Sequence, residues 1–167
     1  AALLQKFSLI NQEIVIVGAG NVARSLIDTM RIHGIAPKKL TLVNRTINKA
    51  QEAAKQLALV DEVRPLSDLS NLKADVLINC TYIGGRDEDT IFTADILKNF
   101  KGVGDVTFEI ESPNIIKQAK ALNIPYSSGW DFFTYQGKVF LENILRGAAG
   151  ISDLFPGVNI LSSRESD

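Results

Sequence analysis

The stretch Glu13-Ile14-Val15-Ile16-Val17-Gly18-Ala19-Gly20-Asn21-Val22-Ala23 decides how the rest of the chain is read. Its first five residues are a short β-branched run ending on a glycine, the pattern of a strand buried on both faces of a sheet. Gly18 to Ala23 then match G-x-G-x-x-G/A, placed where a strand hands over to a helix. In that setting Gly18 permits the tight turn, Gly20 lets the backbone approach a pyrophosphate, and Ala23 lets the helix pack close to the strand. Free N–H groups and the dipole of the helix start then hold the phosphates. The residues Gly18, Ala19, Gly20, Asn21, Val22 and Ala23 therefore read as one wall of a dinucleotide site. The competing reading is a glycine turn of purely structural use.

Strand-like and helix-like segments alternate outward from this turn. Val22, Leu26, Ile27 and Met30 predict a helix from Val22 to about His33, stopped by Gly34. Leu40–Val43 predicts a second strand, and the Ala-rich segment from Thr46 to about Leu59 a second helix with Ala50, Ala53, Ala54 and Leu57 on one stripe. A run around Val63 suits an edge strand. Asp75–Asn79 is the next clear strand, followed by a loop containing Gly84 and Gly85. Further on, Ala94–Asn99 predicts a short helix, Gly102–Thr107 a strand, Asn114–Leu122 a helix and Pro125–Ser127 a last strand. A longer helix from Asp131 to about Ala149 carries Phe132, Phe133, Val139, Phe140, Ile144 and Leu145. The expected class is α/β, a Rossmann-type doubly wound parallel sheet with right-handed crossovers. It occupies residues 13–150 as a single domain, with a polar tail over 151–167.

The end of the second strand speaks to the choice of cofactor. An Asp or Glu there would hydrogen-bond the ribose 2′-hydroxyl of NAD. This chain has Asn44-Arg45-Thr46 instead, with Lys49 one turn on. A helix start is already positive, so cations beside it are disfavoured unless an anion lies between them. Arg45 and Lys49 make sense around a 2′-phosphate, with Thr46 donating its hydroxyl, and the cofactor expected is NADP. The alternative is that Thr46 is an ordinary N-cap and both cations face water.

Composition bounds the rest. The chain has 167 residues, 46% hydrophobic and 22% charged, close to the globular average. Lys plus Arg is 18 and Asp plus Glu is 19, so the basic excess usual in nucleic-acid-binding domains is missing. No apolar run approaches the ~18 residues of a membrane helix, and the start lacks the apolar core of a signal peptide. The expectation is a cytoplasmic protein with no nucleic-acid or membrane partner, for which a homodimer stays open. The single cysteine, Cys80, excludes an internal disulfide and a multi-cysteine metal site. Cys80 lies at the sheet edge where ligands bind, but the one histidine, His33, ends the first helix at the opposite edge, so Cys80 reads as a small buried residue. Arg86-Asp87-Glu88-Asp89 reads as a solvated loop, and no metal site is expected. The aromatic stripe of Phe132, Phe133, Tyr135 and Phe140 reads mainly as packing.

Taken together, these residues resemble the NADP-binding domain of the shikimate dehydrogenases. The resemblance runs through the strand with Gly18-Ala19-Gly20-Asn21-Val22-Ala23-Arg24, then Val43-Asn44-Arg45-Thr46 with Lys49-Ala50, and Ile78-Asn79-Cys80-Thr81 with Gly84. Asp105-Val106-Thr107-Phe108 and Gly129 through Tyr135-Gln136-Gly137 continue it, over roughly residues 10 to 147. It implies reduction of 3-dehydroshikimate to shikimate with NADPH. Asn44, Arg45, Thr46 and Lys49 would surround the 2′-phosphate. Cys80, Thr81, Tyr82, Val106 and Gly129 would line the cofactor further along, with Thr81, Val106 and Gly129 on the nicotinamide side. Gln136 would face the substrate, its amide suited to a hydroxyl-rich ligand, and Phe108 stands where many members place a substrate-touching Tyr.

The sequence also departs from that family. Gly84-Gly85 replaces a Gly-Met, and Gly129-Trp130-Asp131-Phe132-Phe133 replaces a Gly-x-Gly-Met-Leu stretch. The family's catalytic Lys and Asp sit in an amino-terminal substrate domain of about a hundred residues. The resemblance implies that this domain is absent here and that residues 1–12 are the remainder of a linking helix. No catalytic residue is assigned within the chain, although Asp131 and Lys138 could serve as local acids or electrostatic groups. Two other readings remain: a stand-alone NADP-binding sensor or docking module, and the cofactor domain of glutamyl-tRNA reductase, against which Tyr135-Gln136-Gly137 argues.

Overall fold

The computed structural model describes residues 8–83, 91–108, 114–134, 137–138 and 141. Among these residues the strands are β1 (Glu13–Val17), β2 (Lys39–Asn44), β3 (Glu62–Pro65), β4 (Ala74–Asn79), β5 (Phe100–Asp105) and β6 (Tyr126–Ser127). They form one sheet in the order β3-β2-β1-β4-β5-β6, with every neighbouring pair parallel. The helices are α1 (Asn21–Ile32), α2 (Ile47–Gln56), α3 (Ala94–Leu97) and α4 (Asn114–Ala121). A 3-10 turn over Leu66–Asn71 joins β3 to β4. The chain winds outward from β1 to β3, then returns to lay β4 on the other side of β1. The strand order reverses there, and α/β sheets of this kind bind ligands at that point, outside the carboxyl ends.

Side chains alternate across a strand, so β1 feeds two cores. Ile14 and Ile16 join Leu40, Leu42, Val76 and Ile78 under α1 and α2. Val15 and Val17 join Val43, Leu77 and Val103 on the opposite face, against Phe92, Leu97, Ile115 and Ile116. Both faces of the sheet are therefore covered, which is why its strands read as continuous apolar runs. Ala23, Ala50 and Ala53 are fully buried, and their short side chains let α1 and α2 lie close to the strands.

Several boundaries differ from expectation for visible reasons. The second helix stops at Gln56, before Leu59, because Leu57 turns to an extended backbone (φ −113°, ψ 96°) and drops its side chain into the core. The fifth strand is displaced two residues toward the amino end. Asp105 accepts hydrogen bonds from the N–H of Thr107 at 2.6 Å and from its hydroxyl, which diverts the backbone from the ladder. The last described helical stretch begins at 129, not 131. Residues 8–12 form a turn, with Asn11 at φ 57°. Residues 1–7, the Gly84-Gly85 and Arg86–Asp89 loop, Tyr135, Gln136, Val139, Phe140 and the tail lie outside the described residues. By compactness the chain divides into one unit through Phe132 and a second from Phe133 on. The described residues of the second unit are helical, and Phe133 and Leu141 are exposed there.

At the amino edge of the sheet, Asp75 ties three strands together. It accepts from Lys101 Nζ at 2.7 Å and from the Glu13 N–H at 2.9 Å. Lys101 first, and the Glu13 amide second, hold its carboxyl below the ordinary value. A carboxyl lowered on folding stabilises the native state above its unfolded pKa of about 3.9 and loses that contribution as pH falls through the folded value. Urea midpoints measured from pH 6 down to pH 2 should therefore fall more steeply for the wild type than for Asp75→Asn. Parallel curves would remove Asp75 from the acid transition.

Candidate functional site

Strand register brings the site together. Val17 lies opposite both Val43 and Asn79, and Asn79 opposite Asp105, so β1, β4 and β5 end level and β2 runs one residue further, to Asn44. Gly18, Arg45, Cys80 and Val106 thus leave the sheet along one edge. A groove of about 620 Å³ opens there. Ala19, Gly20, Asn21 and Arg24 form one wall, and Asn44, Arg45, Thr46 and Lys49 another. Thr81 and Ile83, which come after β4, border it with Val17 and Leu66.

Gly18 is fixed by geometry. Its φ is +108°, and a Cβ on it would stand 2.8 Å from Thr81 Cγ2 and 2.9 Å from the Cys80 carbonyl. Its N–H donates to Val43 O at 2.7 Å. The turn can close over β2 and β4 only with no side chain at this position. Gly20 is different: it is exposed at the start of α1, and a Cβ there would meet nothing within 4 Å. Ala23 is buried beneath the turn, as the motif requires, whereas Val22 points outward with 52% of its surface exposed. Neither residue borders the groove.

Two helix starts open into this groove. α1 begins at Gly20 and α2 at Thr46, and neither has a side-chain cap or an acid in its first turn. α3 shows the ordinary solution: Thr93 accepts from the Ile96 N–H, and Asp95 lies in the first turn. Thr46 occupies the N-cap position of α2, and its hydroxyl makes no capping bond. Asn44 instead shapes this turn, its Nδ2 donating to Thr46 O at 2.8 Å. Uncapped N–H groups, two helix starts and the cations Arg45 and Lys49 give this end of the groove a positive character.

A buried polar network, for which the sequence alone offers no signal, organises the other side. Asn79 and Asp105 are both fully buried. Asn79 Nδ2 donates to Asp105 Oδ2 at 2.9 Å and to the carbonyls of Thr81 (3.2 Å) and Ile83 (3.1 Å). Asn79 Oδ1 accepts from the Thr81 N–H at 3.0 Å and its hydroxyl at 2.7 Å. The amide thus locks the loop after β4, while Asp105 locks the loop after β5 through Thr107. These loops carry the residues expected further along the cofactor. Thr81 reaches the groove, but Tyr82 is 90% exposed and does not border it. Cys80 and Val106 pack against the core under α1 and α2. Gly129 is buried, and its missing side chain lets the backbone pass against Thr107. Phe108 and Trp130 pair beside it, ring centroids 4.5 Å apart and each about half exposed.

Cys80 and Asp131 each have a defined local environment. Burial, and secondarily the charge of Asp105, pushes the Cys80 thiol up to about 12. Thiolate is the reactive form, so Cys80 should resist a thiol reagent at pH 8 in the native chain and react at once in denaturant. Rapid native labelling would contradict this. Asp131 Oδ2 accepts from the N–H of Ser128 at 2.7 Å and from its hydroxyl at 3.1 Å. Its carboxylate shapes the entry of the helical segment 129–134. Among the described residues no group of three or more His, Cys, Asp or Glu could hold a metal ion. None of their helices is long and apolar enough to cross a membrane.

The fold and groove define a Rossmann-type α/β domain with a cation-lined edge at its switch point. The chain belongs to the shikimate / quinate 5-dehydrogenase family, whose model matches residues 2–123. It is 32% identical over 127 residues to the NADP(+) shikimate dehydrogenase of Dictyoglomus turgidum, covering 73% of this chain and 45% of that protein. The corresponding protein of Methanosarcina acetivorans is 32% identical over 134 residues, covering 75% and 47%. A solved shikimate dehydrogenase in complex with NADP+ aligns with a TM-score of 0.64 and 28% identity, covering 83% of this chain and 50% of that one. The chain spans about half the length of the curated relatives it matches.

Proposed function

We propose that the chain binds NADP(H) in the groove and supplies the cofactor half of a shikimate dehydrogenase-type oxidoreductase. The observation that carries this reading is the pair of uncapped helix starts that open into the groove lined by Arg45 and Lys49. Gly18 shapes the turn, the N–H groups of Ala19, Gly20 and Asn21 would hold the pyrophosphate, and Asn44, Arg45, Thr46 and Lys49 the 2′-phosphate. Thr81, positioned by Asn79, would border the nicotinamide half together with the Val106 and Gly129 backbones. When bound, NADPH supplies the hydride for a ketone such as that of 3-dehydroshikimate. The developing alkoxide needs an acid, which the family resemblance assigns to the Lys and Asp of an amino-terminal substrate domain. Gln136 and Phe108 would meet the substrate from this side of the cleft. Calorimetric titration with NADPH and NADH tests the reading: tight binding of NADPH and much weaker binding of NADH is expected, and equal or absent binding overturns it.

A second reading, an NADP-binding module without catalysis, draws on the Phe108–Trp130 ring pair, which places bulk where the resemblance puts the nicotinamide side. Turnover of 3-dehydroshikimate by the full-length protein would remove it.

A further inference from the structure

Arg24 lies in the first turn of α1, where an exposed cation on a helix start is electrostatically misplaced. Its side chain does not extend into solvent. It borders the groove with Arg45 and Lys49. Nε donates to the Ala19 carbonyl at 3.5 Å, and Nη1 donates to Gln56 Oε1 at 2.8 Å. The guanidinium therefore bridges from the glycine turn to α2, on which Lys49 and Gln56 are seven residues apart and share a face.

The two acceptors that hold it are both neutral. A guanidinium has five N–H donors, and these bonds use two of them. The rest of the fork, with its full charge, remains for an anion in the groove. A neutral holder is what such a site needs: a carboxylate at position 56 would fix the side chain equally well and cancel its charge. Arg45 and Lys49 are exposed on their own segment, whereas Arg24 is partly buried and held through Nε and Nη1, so less conformational freedom is lost when a phosphate binds.

We propose that Arg24 is a third cation for the cofactor's 2′-phosphate, approaching from α1, and that Gln56 is its positioning residue. This rests on the NADP(H) reading of the groove. It extends the discrimination between phosphorylated and unphosphorylated dinucleotides beyond the segment after β2. The two wall segments would share the phosphate, and selectivity would be divided between α1 and the start of α2.

Calorimetric titrations of the chain and its variants with NADP+ and NAD+ test this without any turnover. Arg24→Gln should weaken NADP+ about tenfold, the scale of one charge-assisted hydrogen bond partly screened by water, and leave NAD+ unchanged. Gln56→Ala should weaken NADP+ by a smaller factor. Gln56→Glu, which keeps an acceptor but adds a negative charge, should weaken it more than Gln56→Ala does, whereas a merely structural Gln56 would tolerate Glu better than Ala. Thermal unfolding of each variant checks that the fold is intact. Equal loss of NADP+ and NAD+ in Arg24→Gln, or unchanged NADP+ affinity, overturns the assignment while leaving the groove reading standing. A wild-type chain that does not prefer NADP+ overturns both.

Discussion

Gly129→Ala should cost the chain about 3 kcal/mol of stability and lower its Tm by roughly 10 °C, the upper end of overpacking penalties. A Cβ at this position would stand 1.9 Å from the carbonyl oxygen of Thr107 and 2.5 Å from its carbon. Both atoms are backbone, so no rotamer change relieves the clash. Nor can the Thr107 segment retreat easily, because Asp105 holds it by two hydrogen bonds and is itself held by Asn79. Gly20→Ala is the matched control. Its Cβ would enter open space at a φ of −82°, which any residue adopts. Thermal melts should show Gly20→Ala close to wild type and Gly129→Ala far below it. Equal melting of the two would mean that the loop after β5 is softer than its hydrogen bonds imply.

Arg45→Glu should weaken NADPH about a hundredfold and leave NADH nearly unaffected, since losing a charge-assisted contact and gaining a like charge together amount to about 3 kcal/mol. The reversed charge would stand at the start of α2, where it suits the helix dipole, so stability should hold while phosphate affinity falls. That opposition separates a binding role from a structural one. Raising the salt from about 0.05 to about 0.5 M should shrink the difference between wild type and variant, because the group is exposed. Loss of both cofactors alike would place Arg45 away from the 2′-phosphate.

Local signals carried much of this architecture. The run Glu13–Val17 closing on Gly18 announces a buried strand and a tight turn, and both are observed. Of the residues expected on the apolar face of α1, Ile27 and Met30 are buried, but Val22 is 52% exposed and Ala23 is buried in its place. What the sequence concealed depends on partners distant along the chain. Asn79 and Asp105 are 26 positions apart and meet only through the β4–β5 register, so each alone looks like a polar residue at a strand end. Arg24 and Gln56, 32 apart, look like ordinary surface residues until α1 and α2 lie side by side. The 3-10 turn over Leu66–Asn71 is too short for a helical period to show. The family resemblance sets Tyr82 along the cofactor beside its neighbours Cys80 and Thr81, yet once the strand ends, sequence neighbours need not share a face.

The β1–β4 pairing has a further consequence for how the chain reaches its native state. β1, β2 and β3 pair through successive local crossovers, but β4 docks on β1 some sixty positions later, as the Glu13–Asp75 contact across 62 residues records. Pairings between strands so far apart in sequence tend to form slowly. The groove draws Ala19 and Lys49 from one side of that closure and Thr81 and Ile83 from the other. A half-assembled chain, with only the first three strands in place, would lack one rim of it. Any molecule that fills the groove therefore selects the completed fold over every partly assembled form, and its presence should raise the Tm in proportion to the logarithm of its concentration.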